Sequence, residues 1–167
     1  MKRVALILSI LTGVLLMPTY AAQAALTSDG CWKRSTAERS FVRMTNTTRV
    51  ERERRELPLD EDLSKAAYKH SVKMAKQGNL FHSTTADIDP LLSGRWVNMG
   101  ENVGYGPDPE TIQQAFMASK YHRQNILARK WRKMGVGVVK KDGLFWVTVW
   151  FQEGRDNVET TFRMRNC

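Results

Sequence analysis

The chain is poor in the residues from which local metal and nucleophile motifs are built. It has three histidines, His70, His82 and His122, and no His-Glu-x-x-His pair, which excludes a zinc protease site carried on one helix. Its two cysteines, Cys31 and Cys167, stand far apart with no Cys-x-x-Cys. That excludes a zinc ribbon and a dithiol redox motif. There is no Gly-x-Ser-x-Gly, so the nucleophile elbow of an α/β-hydrolase is absent. After Met17 no second long apolar run occurs, and nothing further reads as a membrane span. Acid is also short, at 17 Asp+Glu against 26 Lys+Arg, a formal charge of +9. No internal repeat is found.

What is there begins with an export signal. Lys2 and Arg3 precede an apolar stretch from Val4 to Met17, and Ala22-Gln23-Ala24 is a small-x-small cleavage site. The run is short for a bilayer span and ends at Pro18, so residues 1–24 read as a cleaved secretory signal. Ser28-Asp29-Gly30 before Cys31 lacks the apolar residue that a lipoprotein signal needs. Residues 25–167 are then expected to form one secreted domain with its own core, and to be a soluble monomer. Without Lys2 and Arg3 its charge is about +7. A basic exported protein meets anionic envelope polymers and lipid head groups before nucleic acid. An oxidising compartment and an even cysteine count predict a Cys31–Cys167 disulfide tying the two ends together. So long a loop is worth up to roughly 4–5 kcal/mol by chain entropy.

Residues 36–56 predict a long charged helix with Ala37, Phe41, Met44 and Thr48 on its inner stripe. Leu57-Pro58-Leu59 breaks it. Asp60 is an N-cap for a second helix, with Leu63, Ala67, His70 and Met74 on one face and Gly78 as the stop. A short helical turn is expected at Ile88–Leu92 and a short strand within Trp96 to Tyr105. Asp108 and Pro109 start another helix, with Ile112, Ala115 and Phe116 as its apolar stripe. A shorter turn carries His122 and Ile126. Two strands, Met134–Val139 and Leu144–Phe151, are joined through Asp142-Gly143, a type I′ turn signature. That turn sets Val138 against Val147 and Val136 against Val149. Both hairpin faces are apolar, with glycines at 135 and 137 where Trp146 and Trp150 need room. The class is α+β, with the sheet between two helical layers.

Polar chemistry sits in three short segments: Phe81-His82-Ser83, Gly100-Glu101-Asn102-Val103, and Ser119-Lys120-Tyr121-His122-Arg123-Gln124-Asn125-Ile126-Leu127. Two imidazoles and a carboxylate are ligands that zinc accepts, although no two of them form a local motif. Glu101 also has a structural reading, in which it bonds a loop backbone or orients an imidazole. His70 lies on an apolar stripe and reads as a satisfied core residue.

Taken in order, these segments resemble the CAP superfamily: cysteine-rich secretory proteins, antigen 5 and pathogenesis-related 1, in their bacterial single-domain form. Asn46-Thr47-Thr48-Arg49 matches the opening Asn-x-x-Arg. Leu59, Leu63, Ala67, His70-Ser71 and Met74-Ala75 match the next helix, and Gly135-Val136-Gly137 the closing strand. The likeness spans residues 37–152. It implies an α-β-α sandwich with a central antiparallel sheet, and a cleft in which His82, Glu101 and His122 meet. It also departs from the family. Many members carry a second glutamate on the helix before the second histidine, where this chain has Gln113-Gln114-Ala115-Phe116. Bacterial relatives usually have Trp at the place of Phe116 and Ser-Pro-x-His at the place of Ser119 to His122.

The resemblance implies a secreted binding module whose cleft could hold a divalent metal such as zinc through His82, His122 and Glu101, without the fold requiring it. Its ligand would be a lipid, a sterol or an anionic envelope component. The alternative is a metal-dependent, protease-like hydrolase at the same cleft, or a serine route through Ser83 or Ser119; the missing carboxylate weakens both. A nuclease reading of His122-Arg123-x-Asn125 lacks its matching histidine, so nucleic acid is not an expected partner. A plain scaffold acting through its basic surface is the remaining reading.

Overall fold

A computed structural model describes residues 33–88 and 96–154. The predicted signal segment, Cys31 and Cys167 lie outside the described residues, and so do residues 89–92 of the expected turn. The elements in chain order are α1 (Thr36–Glu51), α2 (Glu61–Gln77), α3 (Thr85–Ile88), β1 (Trp96–Gly106), α4 (Pro109–Ala118), α5 (Lys120–Leu127), β2 (Lys133–Lys141) and β3 (Leu144–Gly154). The strands form one antiparallel sheet in the order β1-β3-β2.

The hairpin has the expected register, with Val138 opposite Val147 and Val136 opposite Val149. Asp142 and Gly143 both take positive φ, 51° and 79°, as a type I′ turn requires. One sheet face, with Met134, Val136, Val138, Val147, Val149 and Phe151, packs on Phe41 of α1, Ile112 and Phe116 of α4 and Ile126 of α5. The opposite face carries Trp146 and Trp150 against Met74, Ala75, Leu63 and Ala66 of α2. The chain is therefore an α-β-α sandwich.

The two β2 glycines admit a helix backbone. A Cβ at Gly137 would run into the main chain at Ala67 and Tyr68, and one at Gly135 into Leu63. Helix α2 thus lies directly on the strand, and the tryptophans fill the space beside it rather than above the glycines. Ser71 Oγ fastens the contact by donating to the Gly137 carbonyl at 2.9 Å.

Four local expectations change. Helix α1 ends at Glu51, and its fully buried residues are Glu38, Phe41, Thr45 and Arg49; Ala37 and Met44 pack at the margin. Glu38 can be buried because it closes a capping box with Ser35 and accepts from the Val138 amide at 3.3 Å. Burial still pushes its carboxyl above the usual range, against the hydrogen bonds from Ser35 and Val138. Arg49 is buried because its guanidinium donates to the carbonyls of Arg55, Ile126 and Ala128. Asn46 brackets Leu57, donating to its carbonyl at 3.1 Å and accepting from its amide at 3.0 Å. The Asn-x-x-Arg segment is thus a clamp on the chain that leaves α1.

On α4 the buried residues are Ile112, Gln113 and Phe116, while Ala115 is exposed. Phe116 and Ile112 pack over Gly104, where a Cβ would meet the ring of one and a methyl of the other. That contact rotates the helix so that Gln113 and not Ala115 turns inward. The short helix α3 starts at Thr85, earlier than expected, because Thr84 and Asp87 exchange capping hydrogen bonds. Strand β1 runs eleven residues, longer than expected, because it pairs with β3 from end to end.

Candidate functional site

The site is built on the edge strand β1. Residues Met99, Glu101 and Val103 turn toward the α2 layer, where they meet Trp150, Leu63, Met74 and Trp146. Gly100, Asn102 and Gly104 turn toward α4 and α5. At Gly100 a Cβ would collide with the Trp131 ring and the Asn125 amide, so this glycine lets α5 reach the strand.

Glu101 is the hub. Its Oε2 accepts from His82 Nδ1 at 2.6 Å and from the Ser83 amide at 3.0 Å. Its Oε1 accepts from Ser83 Oγ at 2.6 Å and from the Trp150 indole N–H at 2.7 Å. Burial alone would push this carboxyl up, but the bonds from Ser83, Trp150 and His82 outweigh it and hold it below the ordinary range. Glu101 is thus an ionised acceptor, and His82 must carry its proton on Nδ1. That leaves Nε2 on the outer side of a largely exposed ring, 62% accessible, away from the carboxylate.

His70 is part of the same cluster. Its Nε2 lies 2.8 Å from the Phe81 carbonyl and 3.8 Å from Glu101 Oε1, and its ring meets Phe81 edge-on. His70 is buried as expected but only half satisfied, and it fixes the turn that delivers His82. Its buried Nδ1 has no partner among the described residues.

His122 arrives from the other layer, in the first turn of α5. Its carbonyl accepts from Asn102 Nδ2 at 3.1 Å, and its ring packs on Phe116 with centroids 4.9 Å apart. Asn125, one turn later, donates to the Glu101 carbonyl at 3.0 Å and to Asn102 Oδ1 at 2.9 Å. The Trp131 indole then donates to the Asn125 carbonyl at 2.7 Å. Burial, then the neighbouring His82, lowers the His122 pKa. His122 therefore favours the neutral form that a metal needs.

The three predicted residues meet the strand in unequal ways. His82 and Glu101 are in direct contact, whereas His122 makes no side-chain hydrogen bond to either among the described residues. No group of three or more His, Cys, Asp or Glu is arranged to hold a metal among the described residues. The donor chemistry fits a divalent ion at two imidazoles, with Glu101 behind His82 as the carboxylate that orients it. It does not fit Glu101 as a direct ligand, since both its oxygens are already in use.

Sequence reasoning missed Trp150 and Asn125 as parts of the site. Trp150 read as a packing residue, yet it stands opposite Glu101 in the sheet. Asn125 had no role of its own within its segment. An indole in a strand with a glutamate in the partner strand was the available signal, and it required the β1–β3 register. Ser83, considered as a nucleophile, spends its hydroxyl proton on Glu101 rather than on an imidazole.

Among the described residues no helix is long and apolar enough to cross a membrane. The chain is 30% identical over 135 residues to YkwD of Bacillus subtilis (strain 168), covering 77% of this chain and 52% of that protein. The Bacillus subtilis membrane protein YlbC is 29% identical, covering 68% of this chain and 35% of its own length. The chain thus spans about half of one curated relative and about a third of the other. An outer surface protein of Borrelia burgdorferi shares the fold at TM-score 0.67 and 17% identity, over 74% of this chain and 96% of that one. An extracellular SCP-domain protein of Bacillus anthracis does so at TM-score 0.63 and 22% identity, over 78% and 45%. NaASP2, solved with Zn2+, does so at TM-score 0.54 and 18% identity, over 73% and 83%. The model of the CAP family, described as the cysteine-rich secretory protein family, matches residues 42–152, and the chain belongs to that family.

Proposed function

We propose that this chain is a secreted CAP-domain binding module, monomeric, whose cleft holds a divalent metal such as zinc between His82 and His122. One observation carries the reading: Glu101 grips His82 through Nδ1 and leaves Nε2 free on an exposed ring, beside a second imidazole whose protonation is disfavoured. A bound ion would take those two nitrogens and complete its shell with water or a ligand group. Glu101, Ser83 and Trp150 fix the orientation of one donor, while Phe116 packs on the other. The ion's open positions suit a lipid, sterol or anionic envelope component docking at the cleft. Export by residues 1–24 and closure by a Cys31–Cys167 disulfide belong to the same reading.

Hydrolysis at this cleft is the weaker alternative. It needs a base beside the metal-bound water, and the carboxylate that would supply it is engaged by four donors. Calorimetric zinc titration of the wild type and of a His82→Ala/His122→Ala double variant tests the proposal. Binding heat in the first and none in the second is expected. Equal heats would remove the metal from the cleft.

A further inference from the structure

A second polar site lies at the far end of α5 from His122. A cavity of about 330 Å³ is lined by Arg49, Glu53, Arg54, Arg55, Arg129 and Arg132. Among the described residues five guanidinium groups and one carboxylate line it, and Arg55 and Arg132 make further interactions of their own. Part of this charge has a structural partner. Arg49 donates to the carbonyls of Ile126 and Ala128, Arg54 to that of Leu127, and Arg55 to that of Trp131. These contacts cap the C-terminal end of α5 and the chain that leaves it.

Two further observations point to an anion. Arg49 is wholly buried, and its second terminal nitrogen has no hydrogen-bond partner among the described residues. Burial, then Arg55 and Arg54, lowers its pKa to about 10. Arg129 lies exposed at the rim, and its guanidinium makes no hydrogen bond or ion pair among the described residues. Arginines held by backbone carbonyls are pre-organised, so little side-chain entropy remains to be lost on binding.

We propose that this arginine cavity is a binding site for a phosphate-bearing ligand, separate from the His82–His122 cleft. Forked guanidinium donors match the oxygens of a phosphate group, and a volume of about 330 Å³ exceeds what a single phosphate fills. The phosphate could belong to a lipid head group or to a soluble molecule. No residue is shared with the histidine cleft, so the inference does not depend on metal binding there.

The test is calorimetric titration of the full secreted chain with inorganic pyrophosphate, and co-sedimentation with phosphatidylglycerol vesicles in phosphatidylcholine. Arg129→Glu is the main variant, since Arg129 is exposed and its change spares the core. Arg54→Gln is the second. Lys69→Glu, exposed on α2 in the opposite layer, makes the same charge change elsewhere. Pyrophosphate binding that weakens about tenfold in Arg129→Glu and stays within about twofold in Lys69→Glu is expected, as for loss of a charge-assisted contact. Loss in Arg129→Glu confined to vesicles assigns the phosphate to a lipid head group, and loss confined to pyrophosphate assigns it to a soluble ligand. Equal weakening by Arg129→Glu and Lys69→Glu, or no binding of either probe by the wild type, overturns the proposal. The His82→Ala/His122→Ala variant should bind both probes as the wild type does.

Discussion

Trp150 stands directly across from Glu101 in the β1–β3 ladder, and its indole N–H donates to Glu101 Oε1 at 2.7 Å. A cross-strand pair thereby becomes the floor of the site. The sheet register, which also fixes the core, decides which way the carboxylate faces.

Replacing that carboxylate tests the hub. Glu101→Gln keeps the shape but presents one acceptor where the wild type has two, and turns an amide N–H₂ toward existing donors. Loss of about 1–3 kcal/mol is expected in urea unfolding. Zinc affinity at the cleft should fall about 10–100-fold, since His82 loses its orienting partner. Unchanged stability would show that the four contacts to Glu101 contribute nothing net.

Asn125→Ala probes how α5 is fastened. The amide bridges the Glu101 carbonyl and Asn102 Oδ1, and Asn102 in turn holds the His122 carbonyl. A loss of about 1–3 kcal/mol is expected for the buried acceptors left unpaired. The His122 ring resonances should shift in NMR while those of Lys69, in the other layer, stay put.

Gly137→Ala tests the close packing of α2 on β2. A single methyl meets helix backbone, which cannot move aside as a side chain can. Destabilisation of about 1–3 kcal/mol or more is expected, read as a lowered midpoint in denaturant. Ala at Gly143 has open space around it, so its cost should come from positive φ alone.

The titration of His122 sets a pH dependence. Its folded pKa lies below the unfolded value of about 6.5, so in acid the unfolded chain takes up the proton first. Stability should therefore fall as pH drops from about 6.5 toward the lowered folded pKa, and be flat in this contribution above it. Glu101 acts lower down. Its depressed pKa gives stability that is present above about 4.5 and lost as pH falls through the folded value. His122→Phe should abolish the upper step in a denaturation series across pH and leave the lower one. A persistent upper step would show that His122 is not its source.

The sequence by itself determined the layered α+β architecture, the hairpin register and the caps at Asp60 and Asp108, because these follow from short-range patterns. Alternating apolar residues, an Asp-Gly turn and an N-cap before an amphipathic run each act within a few residues. Segment order anticipated the His82–Glu101 contact, whereas the His122 side chain hydrogen-bonds to neither of them among the described residues. Only the tertiary structure decided that Glu101 is a shared acceptor for His82, Ser83 and Trp150, because those donors come from separate parts of the chain. It also turned Glu38 and Arg49 inward, against their charge, since the partners that compensate their burial lie up to 100 residues away. Periodicity reports which side of a helix prefers water. It cannot report which distant amide or carbonyl will meet a charge taken out of it.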